Sequence, residues 1–175
     1  MSAASLVLTI IGADRPGLVE SIAQTVADHE GNWLESRMAH LAGQFAGILR
    51  VEIAADRAES LTAALKSLTD AGLESVVLTD VSPAAEYATP VVLLDLVGQD
   101  RPGIVRQISR VLAASGVNVE ELSTQRTSAP NTGQMLFQAK ARLRMPPGLS
   151  QQQLRDSLEG VAGDLMVDVS LASEE

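Results

Sequence analysis

Cysteine is absent from all 175 residues, which removes disulfides, thiolate metal ligands and cysteine nucleophiles at once. Its absence also suits a reducing compartment. Aromatic residues are nearly absent, with one Trp, one Tyr and two Phe. Any core must therefore be aliphatic, and few rings are available to stack on a base or a sugar. Basic residues are outnumbered, 13 Lys and Arg against 22 Asp and Glu, for a formal charge of −9 with no Lys/Arg run. Such a field repels phosphate backbones, so direct nucleic-acid binding is not expected. No apolar run approaches the roughly 18 residues of a membrane span, and the first residues lack the basic region of a secretory leader. The expected compartment is the cytoplasm, with no membrane partner.

What is present is repetition. Gly12–Ala23 reads GADRPGLVESIA and Gly98–Ser109 reads GQDRPGIVRQIS, 86 residues later. Placing Asp14 on Asp100 superposes Leu18-Val19 on Ile104-Val105, Ile22 on Ile108, Val26 on Leu112 and Asn32 on Asn118 without a gap. Further on, Gly43-Gln44 matches Gly133-Gln134 at an offset of 90, which implies four extra residues in the second copy near Thr127–Thr132. A fixed internal period is the signature of a duplicated structural unit.

Each copy has one order of elements. Leu6–Ile11 and Val91–Val97 are strand-like runs. Leu18, Val19, Ile22, Ala23 and Val26 recur at helical spacing, as do Ile104, Val105, Ile108, Val111 and Leu112. A second strand starts near Trp33 or Val119. A third alternates: Phe45, Gly47, Leu49, Val51 and Ile53 in one copy, Met135, Phe137, Ala139, Ala141 and Leu143 in the other. Alternation of this kind describes a sheet with one wet face. Leu61, Ala64, Leu65 and Leu68 mark a second helix, answered by Leu154, Leu158 and Val161, and Ser75–Val81 and Met166–Leu171 close the copies as strands. The order β-α-β-β-α-β, twice, implies an α+β fold. Each unit is ferredoxin-like, a four-stranded antiparallel sheet with two helices on one face. Residues 1–82 form the first domain and 91–175 the second. The Pro-bearing, aperiodic stretch 83–90 is the expected linker.

Asp-Arg-Pro-Gly stands where the first strand gives way to the first helix. Pro at the first helical position gives up an N–H that no carbonyl could have used. Gly after it leaves the other free amides unshielded, and Asp before it can accept from one of them. Bare amides at a helix N-terminus suit a carboxylate, and the Asp and Arg charges beside them suit a zwitterion. The same four residues also make a serviceable strand-to-helix turn that needs no ligand. Asn32 and Asn118 are open to the same two readings, ligand contact or turn formers that tolerate left-handed geometry.

With Gly-x-Asn-[I/V] at the start of the second strand (EGNWLE at Glu30–Glu35, SGVNVEE at Ser115–Glu121), the chain resembles the ACT domain family over nearly its whole length. As a double-ACT chain it is most similar to the glycine cleavage system transcriptional repressor group. The resemblance implies a regulatory protein without catalysis or cofactor. Such a protein binds a small amino acid, glycine or serine-like, between paired domains and acts through a protein partner, a transcription factor or a metabolic enzyme. Exposed sheet edges invite pairing, within the chain or between chains, and a homo-oligomer is expected. The ligand contacts carried over are Asp14, Arg15, Pro16, Gly17 and Leu18 with Asn32, then Asp100, Arg101, Pro102, Gly103 and Ile104 with Asn118. Family members that bind serine often carry Asn at the first motif position, where this chain has Asp twice. Trp33 stands where a small aliphatic residue is usual, so the two copies are not expected to bind alike.

Other chemistry finds little support. His29 and His40 have no histidine twin in the second copy, and their spacing suggests no metal site. There is no G-x-S-x-G. Lys140, Arg142 and Arg144 fit a wet strand face. An RNA-binding module of the same outline needs sheet aromatics, and Phe45 and Phe137 fall on the core-facing alternation. A separate regulatory subunit of an amino-acid or one-carbon enzyme is the alternative reading. Against it, no catalytic domain is expected in the few residues that follow the second copy.

Overall fold

The computed structural model describes residues 3–79, 89–130 and 132–174, and the chain divides into two units, 1–86 and 87–175. Of the expected linker, residues 83–88 lie outside the described residues.

The first unit runs β1 (Ala3–Ala13), α1 (Leu18–Asp28), β2 (Asn32–Leu41), β3 (Gln44–Ala54), α2 (Ala58–Ser67) and β4 (Leu73–Thr79). A short 3-10 turn precedes α2 and another follows it. The second runs β5 (Val91–Gln99), α3 (Ile104–Ala114), β6 (Asn118–Ser128), β7 (Met135–Arg144), α4 (Gln151–Leu165) and β8 (Val167–Ser173). The sheets have orders β2-β3-β1-β4 and β6-β7-β5-β8, with every pairing antiparallel. This is the expected pair of ferredoxin-like units.

Alternation decides which face is buried. In the first unit Leu6, Leu8, Ile10, Leu49, Val51 and Ile53 point to the helix side, where Leu18, Ile22 and Val26 of α1 and Leu61 and Leu65 of α2 meet them. Each such aliphatic side chain contributes about 1.5–3 kcal/mol by leaving water. The second core repeats the plan with Leu94, Leu96, Leu143, Ile104, Ile108, Leu112, Leu154 and Leu158. Phe45 and Phe137 pack against these cores from their edges, as their alternation requires.

Three details differ from expectation. Gly12 pairs with Phe45 and Gly98 with Phe137. Phe45 therefore corresponds to Phe137, and the Gly-Gln match is a coincidence of composition. Two residues, 42–43, lie between the paired Leu41 and Gln44, whereas eight lie between the matching pair Thr127 and Leu136, of which Ser128 and Met135 extend the ladder by one further pair. The second copy thus has six extra residues, not four, and β6 continues through Ser128. Second, the closing strands start at Leu73 and Val167. Met166, expected to open β8, is instead the left-handed cap of α4 at φ 52°. Val81, expected to end the first copy's last strand, lies outside the described residues. Third, the left-handed residue before the second strand is Glu30 (φ 57°) or Gly116 (φ 68°). Asn32 and Asn118 are the first residues of their strands, so the turn-former reading of the asparagines does not hold.

Candidate functional site

Both Asp-Arg-Pro-Gly turns are built alike. The Asp14 amide donates to the Gly43 carbonyl at 2.9 Å, and the Asp100 amide to the Met135 carbonyl at 3.0 Å. Gly17 and Gly103 then take φ of 90° and 96°, a left-handed conformation that disfavours side chains. The helices begin only after them, at Leu18 and Ile104, so Pro16 and Pro102 lie in the turn and not at the first helical position. No side chain caps either helix. The expected Asp cap is absent: glycine holds the cap position, and Asp14 and Asp100 stand three residues before it. The first intrahelical bonds run from Ser21 to Gly17 and from Gln107 to Gly103. Amides 18–20 and 104–106 therefore precede the helical ladder and carry the partial positive charge of the helix end.

The charged residues of the turns face their own unit. Asp14 lies 3.6 Å from His40 Nε2, and Asp100 pairs with Arg126 Nε at 2.6 Å. Asn32 and Asn118 head β2 and β6, and counting on from them puts His40 and Arg126 at the same place in their strands. The second copy thus answers His40 with another cation, which a search for a matching histidine overlooks. Arg15 donates to the Ala71 carbonyl at 2.7 Å, and Arg101 to that of Asp164. In both copies the motif arginine is fastened to a carbonyl just ahead of the last strand, in the 3-10 turn after α2 or the last turn of α4. Leu18 and Ile104 are buried, with 3% and 2% exposure. They can offer a ligand only their backbone amides.

Asn32 and Asn118 are not brought to these turns. Asn32 pairs with Glu52, which lies opposite Ser5, whereas the turn leaves β1 at Ala13. Asn118 pairs with Arg144, opposite Val91, whereas the second turn leaves β5 at Gln99. At about 3.3 Å per residue, the turn and the Asn of one unit are separated by roughly 26 Å.

The second unit has an apolar crevice between α3 and the sheet, lined by Leu96, Val105, Ile108, Val119, Leu122 and Ala141 among others. Its origin is visible in the register. Leu8 pairs with Leu49, whereas Leu94 pairs with Ala141, and Trp33 is the second residue of β2 where Val119 is the second of β6. In the first unit Leu49 and Trp33 both pack into the core. Filling the crevice with Ala141→Leu is expected to raise the stability of the chain by about 1 kcal/mol, read as the urea midpoint. Destabilisation by a similar amount would mean that the crevice is too narrow for the added atoms.

Lys140, Arg142 and Arg144 sit on the outer sheet face as expected, and they are paired. Arg142 donates to both Glu174 oxygens at 2.7 to 2.9 Å and to Glu120 at 2.5 Å, and Arg144 also reaches Glu120. Hydrogen bonding from Arg142 holds the Glu174 carboxyl below the usual carboxylate range. Among the described residues no group of three or more His, Asp or Glu side chains could hold a metal ion, and no helix is long and apolar enough to cross a membrane.

A family description for the ACT domain matches residues 4–77 and 91–171. The crystal structure of an unknown protein from Galdieria sulphuraria is 30% identical, with a TM-score of 0.89 over 99% of this chain and 100% of that one. The crystal structure of a candidate glycine cleavage system transcriptional repressor is 19% identical, with a TM-score of 0.75 over 100% of this chain and 99% of that one, a likeness of fold. No curated protein matches the sequence. The two matched segments coincide with the two βαββαβ units, and the chain belongs to the ACT domain family.

Proposed function

We propose that this chain is a non-catalytic regulatory protein that senses a small amino acid, glycine or serine-like, and acts through a protein partner. The observation that carries the reading is the duplicated uncapped helix start, where three backbone amides beside an Asp and an Arg stand ahead of the helical ladder in each unit. A ligand carboxylate would accept from the amides of residues 18–20 or 104–106. Its ammonium would compete with His40 or Arg126 for the Asp carboxylate. An Asn from the start of a second strand supports this site only if another ACT domain supplies it, given the length of sheet that separates the two within one unit. The site would therefore lie where two ACT domains meet, and occupancy would favour one arrangement of domains by the difference in affinity between arrangements. The likeness to a candidate glycine cleavage repressor favours a transcription factor as partner, and the negative charge favours an indirect route to DNA.

Calorimetry of the full chain against the twenty amino acids tests this. Binding heat is expected for glycine or serine, weakened ten- to a hundredfold in Asp14→Ala, Asp100→Ala or Asn32→Ala, the loss of one hydrogen bond to a charged group. The absence of heat for every amino acid would sink the reading.

A further inference from the structure

We propose that α3, with the apolar crevice beside it, is the docking surface for an acidic, amphipathic segment of a protein partner. One apolar side chain of that segment enters the crevice, and its carboxylates meet Arg106 and Arg110. This surface gives a place to the partner of the proposed function, and depends on that reading for there being a partner.

The two arginines differ from every other cation of their unit. Arg101 and Arg155 donate to backbone carbonyls. Arg126 and Lys140 pair with Asp100 and Asp95, and Arg142 and Arg144 share Glu120. Arg106 and Arg110 are exposed on α3 and have no acceptor among the described residues. Four residues apart, they are neighbours on one side of the helix, with Cβ atoms roughly 6 Å apart. The chain has 22 Asp and Glu against 13 Lys and Arg, yet none of those carboxylates is brought to this pair.

The first unit shows that the fold demands neither the cations nor the crevice. At the places of Arg106 and Arg110 in α3, α1 has Glu20 and Gln24. Trp33 and Leu49 pack into the first core, where the second unit has Val119 and Ala141. Leu122, paired with Ala141, stands where Ser36 pairs with Leu49. Val105, Val119 and Leu122 line the crevice and are nevertheless 43%, 38% and 53% exposed. Arg106 and Arg110 each follow a lining residue, Val105 or Ser109, and so stand about 100° further round the helix, toward solvent. The second unit alone thus sets an open apolar slot beside two unpaired cations.

Charge and shape together select the occupant. The free guanidinium groups call for carboxylates. Two are too few for a nucleic acid, whose binding draws on many neutralised phosphates, and the rest of the chain repels that polyanion. A small anion alone would leave the crevice in water. A peptide segment with Asp or Glu beside a bulky aliphatic or aromatic residue meets both features, with the apolar side chain as anchor and the charges setting specificity.

Panning a phage-displayed library of random peptides of about 16 residues, about four helical turns, against the full chain tests the proposal. Enrichment is expected for peptides that place Asp or Glu near Leu, Ile, Phe or Trp. A selected peptide, followed by fluorescence anisotropy, should bind at least tenfold more weakly to Arg106→Glu/Arg110→Gln, which copies the residues of α1. Ala141→Leu, which fills the crevice, should weaken it as well, and added salt should do the same because the charges are exposed. If Ala141→Leu does not fold, Leu122→Ser, the residue of the first unit, takes its place. Absence of enrichment would overturn the proposal, as would selected peptides that bind the folded arginine variant as tightly as the wild type. Self-association of the chain that is lost in the arginine variant, read by sedimentation velocity, would make a second copy the occupant and overturn it too. The amino-acid calorimetry reads the other half of the proposed function separately. Heat for glycine or serine with no selected peptide would remove this surface and leave sensing intact, and the converse would keep the surface and remove sensing.

Discussion

Gly98→Ala is expected to destabilise the second unit by about 2–4 kcal/mol, although alanine is ordinarily the better strand residue. Removing a glycine from a strand gains about 0.5–1 kcal/mol by restricting the unfolded chain. At this position the gain is overwhelmed. A Cβ on Gly98 would stand 2.5 Å from the Met166 carbonyl oxygen, 2.5 Å from Val167 Cγ1 and 2.7 Å from Val167 Cα. Two of those three atoms are backbone, so no rotamer change relieves them, and the β5–β8 ladder at the Gly98–Val167 pair must open. Hydrogen exchange along β8 and the far-UV urea transition should both report the loss. Gly160→Ala is the opposite case. That glycine lies inside α4 with nothing within 4 Å of a built Cβ, so the same substitution should stabilise by about 0.5–1 kcal/mol. If both variants moved in one direction, the argument from close approach would be wrong.

Leu8→Ala is expected to cost the first unit about 3–5 kcal/mol. Leu8 is fully buried between β3 and β4, paired with Leu49 and Val77. Core truncations of this kind lose the transfer free energy and leave a cavity as well. A unit of this size has only about 4–12 kcal/mol in total, so most of its margin is removed. Trp33 is the single tryptophan of the chain and packs against this same core, so its fluorescence follows the first unit. With a urea dependence of roughly 1–3 kcal/mol per molar, the Trp33 transition should fall by about 2 M. A shift under about 0.5 M would mean that the surrounding aliphatic residues close over the gap.

The architecture was legible because periodicity survives duplication. Leu18, Ile22 and Val26 recur as Ile104, Ile108 and Leu112, and the alternation of Leu49, Val51 and Ile53 marks the buried face in advance. What escaped the sequence was information held in strand pairing. The correspondence of Phe45 with Phe137 is fixed by their partners Gly12 and Gly98, whereas the Gly-Gln dipeptides offered a match two residues out of step. The kinship of His40 and Arg126 is one of charge and place, invisible to a comparison of letters. The first glycine of each motif lay just past the expected first strand, and its purpose depends on a strand that arrives some 60 to 70 residues later. The turn itself was located correctly, but its helix cap was not. A left-handed Gly17 and a proline outside the helix replace the expected aspartate cap, because the helix starts one residue later than the motif suggests and leaves the glycine in the cap position.

The arginine of each turn carries a mechanical consequence. Arg15 is tied to Ala71 and Arg101 to Asp164, so the loop leaving the first strand and the carbonyl end of the second helix form one lever arm. Any displacement of the loop must drag the start of the fourth strand along or break that tie. Motion where the first strand ends is in this way delivered to the start of the edge strand beside it.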